Sequence, residues 1–91
     1  MPTFIMLSTL TPEGVQTVKN NPQRIREVNQ EVEQLGATVK QQWAVLGRFD
    51  FVSIVEAPDE ATMARVSLEL GSGGTGRFET LSAIPIDDFI A

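Results

Sequence analysis

Two rhythms of hydrophobic positions run along the chain, one of about two residues and one of about three and a half, and their order predicts the fold. Thr3 to Leu10 is apolar on both sides of a strand, with Phe4, Met6 and Leu10 on one face and Ile5 and Leu7 on the other. Such a strand needs cover on both faces, and most of its residues are expected to be buried. Thr11 then fits a helix N-cap, with Pro12 at the first helical position and Glu13 where the helix dipole favours an anion. Val15, Val18, Ile25, Val28, Val32 and Leu35 continue at helical spacing, interrupted by Pro22, which cannot donate a backbone hydrogen bond. The pattern predicts a short helix from Pro12 to about Lys19 and a second from Pro22, capped by Asn20 or Asn21. Gly36 ends the longer one as a left-handed cap.

From Ala37 to Leu46 the period is two. Val39, Gln41, Trp43 and Val45 fall on one side and Thr38, Lys40, Gln42, Ala44 and Leu46 on the other. Gly47-Arg48-Phe49-Asp50 connects this strand to Phe51–Ala57 as a hairpin. Asp59 caps a helix that carries Ala61, Met63, Ala64, Val66, Leu68 and Leu70 to Gly71. The run from Gly71 to Gly76 is a glycine-rich loop, Arg77 to Ile84 is the last strand, and Asp87 to Ile90 is a strand-like tail. The order β-α-β-β-α-β is the ferredoxin-like split arrangement, an α+β sandwich with a four-stranded antiparallel sheet and helices on one face only. Its first helical region is broken near Pro22. At 91 residues the chain holds one core, so residues 1–91 are expected to form a single domain.

Composition removes whole classes of chemistry. The chain has no His, Cys or Tyr, so it lacks a His general base, a nucleophile–His couple, a His-ligated haem and any zinc site built on His or Cys. No cofactor and no metal are expected. Seven basic residues stand against twelve acidic ones, a formal charge of −5, and the basic ones are scattered. Phosphate backbones and anionic lipid surfaces reward a concentrated positive face, so neither nucleic acid nor a membrane is expected as partner. The longest apolar run, Phe4 to Leu7, is far too short to span a bilayer, and no basic-then-apolar leader opens the chain. A cytoplasmic protein is expected.

The residues at the joints resemble the GYD-domain family nearly end to end. The features that carry the resemblance are Pro2-Thr3-Phe4-Ile5, the Leu10-Thr11-Pro12-Glu13-Gly14 turn and the Asn21-Pro22-Gln23-Arg24 joint. They continue through Leu35-Gly36-Ala37, Leu46 to Asp50, Glu56-Ala57-Pro58-Asp59 and Arg77 to Leu81. Where the family's name implies a tyrosine before the aspartate, this chain has Phe49. The resemblance implies a ferredoxin-like or dimeric α/β-barrel fold and an oligomeric habit, and supplies no activity.

Five residues form the candidate ligand-binding set: Arg48, Phe49, Asp50, Trp43 and Arg77. Arg48 could clamp an anion and Asp50 could face a ligand. The favoured reading has Asp50 fixing the turn through local backbone N–H groups, and Trp43 packing in the core or an interface. The glycine loop is no P-loop, since it lacks the Lys and leads into a strand, so it reads as a flexible connection. If a pocket exists, it is expected between the sheet and an oligomer partner near Arg48 and Asp50, with Ser72 to Gly76 as its mobile edge. Asp87 and Asp88 read as a solvated charge pair. The first strand's second apolar face predicts a homodimer or larger even-numbered oligomer, with Phe4, Met6, Trp43 and Val45 as candidates for the seam. A non-catalytic ligand-binding or regulatory module, taking a small organic ligand if any, is favoured. The alternative is a cofactor-free oxygenase or isomerase of the dimeric α/β-barrel type, working between sheet and helices.

Overall fold

Strand β1 (Thr3–Leu10) runs through the middle of a four-stranded antiparallel sheet in a computed structural model that describes every residue from Met1 to Ala91. After it come α1 (Pro12–Asn20), α2 (Arg24–Gln34), β2 (Thr38–Ala44), β3 (Phe51–Glu56), α3 (Glu60–Ser72), β4 (Gly76–Ala83) and a short α4 (Ile86–Ile90). The strand order is β2-β3-β1-β4, the ferredoxin-like arrangement, with α1 and α2 sharing the place of the first helix.

The helix ends follow from the residues that occupy them. The Thr11 hydroxyl accepts from the Gly14 amide at 3.1 Å, and the Asp59 carboxylate accepts from the Thr62 amide at 2.7 Å, each satisfying a donor that the first helical turn leaves open. Gly36, at φ +102°, ends α2: its own amide donates to Glu33 and that of Ala37 to Val32, the double bond pattern of a Schellman cap. The break at Pro22 is real but wider than the sequence predicts. Asn21 closes α1 by donating to Thr17, Pro22 and Gln23 form a turn, and α2 starts only at Arg24 with no side-chain cap.

Phe4, Met6 and Ser8 of β1 pair with Val55, Ser53 and Phe51 of β3 and point toward the helices. Phe4 and Met6 meet Val32 of α2 and Met63 and Val66 of α3 in a core of eight buried hydrophobic residues. Burying each of the Phe, Met and Val side chains among them contributes about 1.5–3 kcal/mol. Only these alternate residues of β1 are fully buried, whereas the sequence predicts burial of most of the strand; Ile5 and Leu7 on the reverse face are half-buried. Phe4 and Met6 therefore belong to the core and not to an oligomer seam, a correction forced by which face the helices cover. Because β1 is apolar on both faces, its own pattern does not distinguish them.

A second correction concerns β2. Its register with β3 shifts between Val39 and Gln41, so Lys40 is an extra residue in a bulge. Strict alternation puts Val39, Gln41 and Trp43 together. With the bulge, Val39 and Gln42 lie opposite Val55 and Ser53 on the helix side, while Gln41 and Trp43 lie opposite Ile54 and Val52 on the uncovered side. The glycine run is also shorter as a loop than expected, because α3 absorbs Gly71 and Ser72 and β4 begins at Gly76. The tail is not strand-like: Pro85 accepts from Asp88 and Phe89, and a helical turn forms.

Candidate functional site

The five residues singled out from the sequence gather toward one end of the sheet, the end at which β1 finishes, but not into one pocket. Asp50 fixes the turn by tying it to β1 and not, as the sequence predicts, through local backbone N–H groups. Its carboxylate accepts from the Leu10 amide at 2.8 Å, its amide donates to Ser8, and its carbonyl accepts from Val45. Arg48 is exposed, with its guanidinium 4.9 Å from the centroid of the half-buried Phe49 ring, a cation–π stack. No ion pair joins Arg48 to Asp50; the ion pairs of the chain are those of Arg24 with Glu27 and Glu31, both at 3.3 Å. The hydrogen bond to Glu27 holds the Arg24 guanidinium above its ordinary pKa, against the opposing effect of desolvation and with the help of the Glu31 charge. Trp43 is 49% exposed on edge strand β2, and Arg77, opposite Thr9, is exposed on the other edge strand, β4. Three strand spacings, about 14 Å, separate those two edges.

The uncovered sheet face is apolar at its centre. Ile5 and Leu7 of β1 lie opposite Ile54 and Val52 of β3 on one side, and Ile5 lies opposite Leu81 of β4 on the other. Trp43 extends the patch across Val52. Beyond β4, Ile84, Ile86, Phe89 and Ile90 are all exposed.

On the other side of the sheet, a cavity of about 200 Å³ lies between the strands and the helices. None of the five candidate residues lines it. Its walls are apolar, from Leu10, Val18, Val28, Phe51 and Phe78 among others, and its floor is polar. Ser53 is 3% exposed and accepts from the Gln42 side-chain amide at 3.0 Å. That amide is held by Asn29 of α2, whose Nδ2 donates to Gln42 Oε1 at 2.8 Å and whose Oδ1 accepts in return at 3.4 Å. Ser8, 7% exposed, makes no side-chain hydrogen bond, yet no polar side-chain atom is sealed from solvent without a partner, so its hydroxyl opens on the cavity. Sequence reasoning missed this set. Its signal was present: Ser8 and Ser53 each put a hydroxyl on the strand face that otherwise carries Phe4, Met6, Phe51 and Val55.

The glycine loop forms one edge of the cavity through Gly73 and Thr75, and it is tied down. The Thr11 amide donates to the Thr75 carbonyl at 3.1 Å, and the Thr11 hydroxyl donates to the Gly74 carbonyl at 2.8 Å. The charged residues at the cavity, Arg24, Glu31 and Glu69, are at its solvent-facing rim. Nowhere in the chain do three His, Cys, Asp or Glu side chains converge, and no helix is long and apolar enough to cross a membrane.

This architecture can be compared with known proteins. Residues 4–91 match the model of the GYD domain. The chain belongs to the GYD-domain family. A relative from Thermus thermophilus is 56% identical over 92 residues, covering 100% of this chain and 97% of its own. That protein is named glutamine synthetase and cystathionine beta-lyase binding protein. A crystal structure of a Thermus thermophilus protein matches with a TM-score of 0.59 at 23% identity, covering 93% of this chain and 95% of the other. At that identity the likeness shows the fold alone.

Proposed function

We propose that this GYD-domain protein is a non-catalytic, cytoplasmic module that binds an enzyme, with glutamine synthetase and cystathionine β-lyase the first candidates. The observation that carries the reading is the 56% identity, over the full chain, to a relative named for binding those two enzymes. The chemistry of the chain is in keeping with it. The cavity floor offers hydroxyls and amides, which bind and orient but do not titrate near neutral pH, and this weighs against the oxygenase or isomerase alternative.

The proposed contact is the β2–β3 hairpin. Leu46 is 100% exposed at its tip, beside Arg48 stacked on Phe49, and the turn is held rigid by Asp50. An Arg already stacked on a ring suits an interface hot spot, because less of its rotamer entropy remains to be lost, and Leu46 beside it adds apolar area. The complementary surface on the enzyme is an apolar hollow with an acidic rim.

The apolar sheet face has a different proposed occupant, a second copy of the chain. Four strands about 4.8 Å apart and about 20 Å long present about 400 Å² per copy, and two such faces about 800 Å². A stable interface buries about 1,200–2,000 Å². The apolar segment Ile84–Ile90 supplies the difference if each copy lays it against its partner, giving a homodimer or a larger even-numbered assembly. Two sheets packed in this way form a dimeric α/β barrel.

Surface-immobilised protein titrated with purified glutamine synthetase, and separately with cystathionine β-lyase, tests the docking. The expected result is saturable binding of at least one enzyme, lost in Leu46→Asp and in Arg48→Glu while the far-ultraviolet spectrum is unchanged. Absence of binding to both enzymes overturns the proposal.

A further inference from the structure

We infer that the cavity between sheet and helices is a binding site for a small uncharged molecule with an apolar body and one carbonyl group, which accepts a hydrogen bond from the hydroxyl of Ser8. Ser8 sits opposite Phe51 and Ser53 opposite Met6, so the two are diagonal neighbours on one sheet face, about 7 Å apart. Ser53 spends its oxygen lone pair on the Gln42 amide, and its own proton has no acceptor in the protein. The Ser8 hydroxyl has neither donor nor acceptor. Because the Ser8 hydroxyl is not sealed from solvent, an apolar body that fills the cavity strips water from a donor on a residue more than nine-tenths buried, which is costly unless that body accepts from it. A ligand oxygen does so.

The same polar set selects the ligand's chemistry. Gln42 and Asn29 satisfy each other, which fixes the floor and leaves only hydroxyl donors facing inward. A carbonyl oxygen accepts from the Ser8 hydroxyl, whereas a hydrocarbon displaces the water there and leaves that donor unpaired. No cation faces the interior: Arg24 is spent on Glu27 and Glu31 at the rim, so a carboxylate would lose its hydration without compensation. Size gives a third limit. A 150 Å³ cavity holds benzene, so about 200 Å³ takes a molecule of roughly eight or nine non-hydrogen atoms. The site lies on the helix side of the sheet and is independent of the proposed docking and self-association surfaces.

Amide chemical-shift titrations with acetophenone, toluene and benzoate as probes test the inference on the intact protein. The expected result is saturable movement of the Ser8, Gln42 and Ser53 amides with acetophenone. Toluene binds there about three- to tenfold more weakly, the worth of one neutral hydrogen bond, and benzoate more weakly than either. Ser8→Ala brings acetophenone down to the affinity of toluene without changing that of toluene. Val28→Phe, which fills the space from α2, abolishes both. Should Ser8→Ala fail to fold by circular dichroism, Ser8→Cys, whose thiol is a far weaker donor, makes the same comparison. Equal affinity of acetophenone and toluene for the unsubstituted protein overturns the inference. So do shifts confined to the opposite sheet face around Trp43, and a cavity that holds water only and moves with no probe.

Discussion

The carbonyl oxygen of Thr75 stands 1.8 Å from the point where residue 14 would carry a β-carbon if it were not glycine. Gly14 is buried in the first turn of α1, and the loop after α3 crosses over it at backbone distance. A side chain there meets main-chain atoms, which cannot rotate away as a long side chain would. Gly14→Ala therefore separates α1 from the loop, breaks the Thr11–Thr75 hydrogen bond, and destabilises the fold by about 1–3 kcal/mol or more. Urea unfolding followed by circular dichroism measures this. A midpoint within error of the unsubstituted protein's would show that the loop is free to lift away.

Asp50 gives a prediction in which two substitutions differ. Asp50→Ala leaves the partly buried Leu10 amide without an acceptor and costs about 1–3 kcal/mol. Asp50→Asn keeps an oxygen in the same place and retains most of that stability, while Arg48→Ala, whose guanidinium rests on a ring at the surface, stays within about 0.5 kcal/mol. Thermal denaturation of the three variants checks the order. Equal losses in Asp50→Asn and Asp50→Ala would mean that the charge matters more than the turn.

How much of this was legible in the chain can be judged at these positions. Caps were readable because their chemistry is local: Thr11, Asp59 and Gly36 each depend on neighbours a few residues away or on a fixed backbone angle, whereas the Asp50 carboxylate reaches Leu10, forty residues away. The element order was readable because the period of the pattern changes at each joint. Faces were not. A single bulge at Lys40 moves Val39 and Trp43 to opposite sides of the sheet, and nothing in the residue pattern there announces it. The doubly apolar β1 likewise concealed that Phe4 and Met6 face the helices. The cavity was legible only in part for a related reason: the hydroxyls of Ser8 and Ser53 on an apolar strand face are visible in the chain, but Ser8, Ser53, Gln42 and Asn29 come from four elements, and only the register brings them together. The composition of the glycine loop likewise carries no information about Thr11 reaching across to Gly74 and Thr75.

Acid should weaken the start of α3 selectively. The backbone hydrogen bond from Thr62 holds the Asp59 carboxyl below its ordinary value of 3.8, and the Arg65 charge adds a lesser effect in the same direction. A group that titrates lower when folded favours the folded state once pH is above its unfolded value, and that contribution fades as pH falls through the lower, folded one. Stability is thus expected to be flat from neutrality to about pH 5 and to decline below pH 4. In Asp59→Asn, which caps without ionising, the decline should be shallower. Identical slopes in the two proteins between pH 4 and pH 2 would remove Asp59 from the account.

The uncovered sheet face should govern self-association. Leu81 and Trp43, each 49% exposed, flank the half-buried Ile5, Leu7, Val52 and Ile54, and a solitary copy leaves that patch wet. Sedimentation equilibrium at micromolar concentration is expected to give twice the 10.0 kDa chain mass or a larger even multiple. Leu81→Glu places a carboxylate on the apolar face, where it would meet its own symmetry mate or an apolar partner, and should shift the equilibrium to the single chain. Removing residues 84–91 should weaken association without abolishing it, since the segment adds area at the edge of the face and not at its centre. A monodisperse 10.0 kDa species for the unsubstituted protein would overturn self-association through this face. If Leu81→Glu then also lost enzyme binding, the face would belong to the enzyme, and the hairpin tip would be the part of the docking proposal to give way.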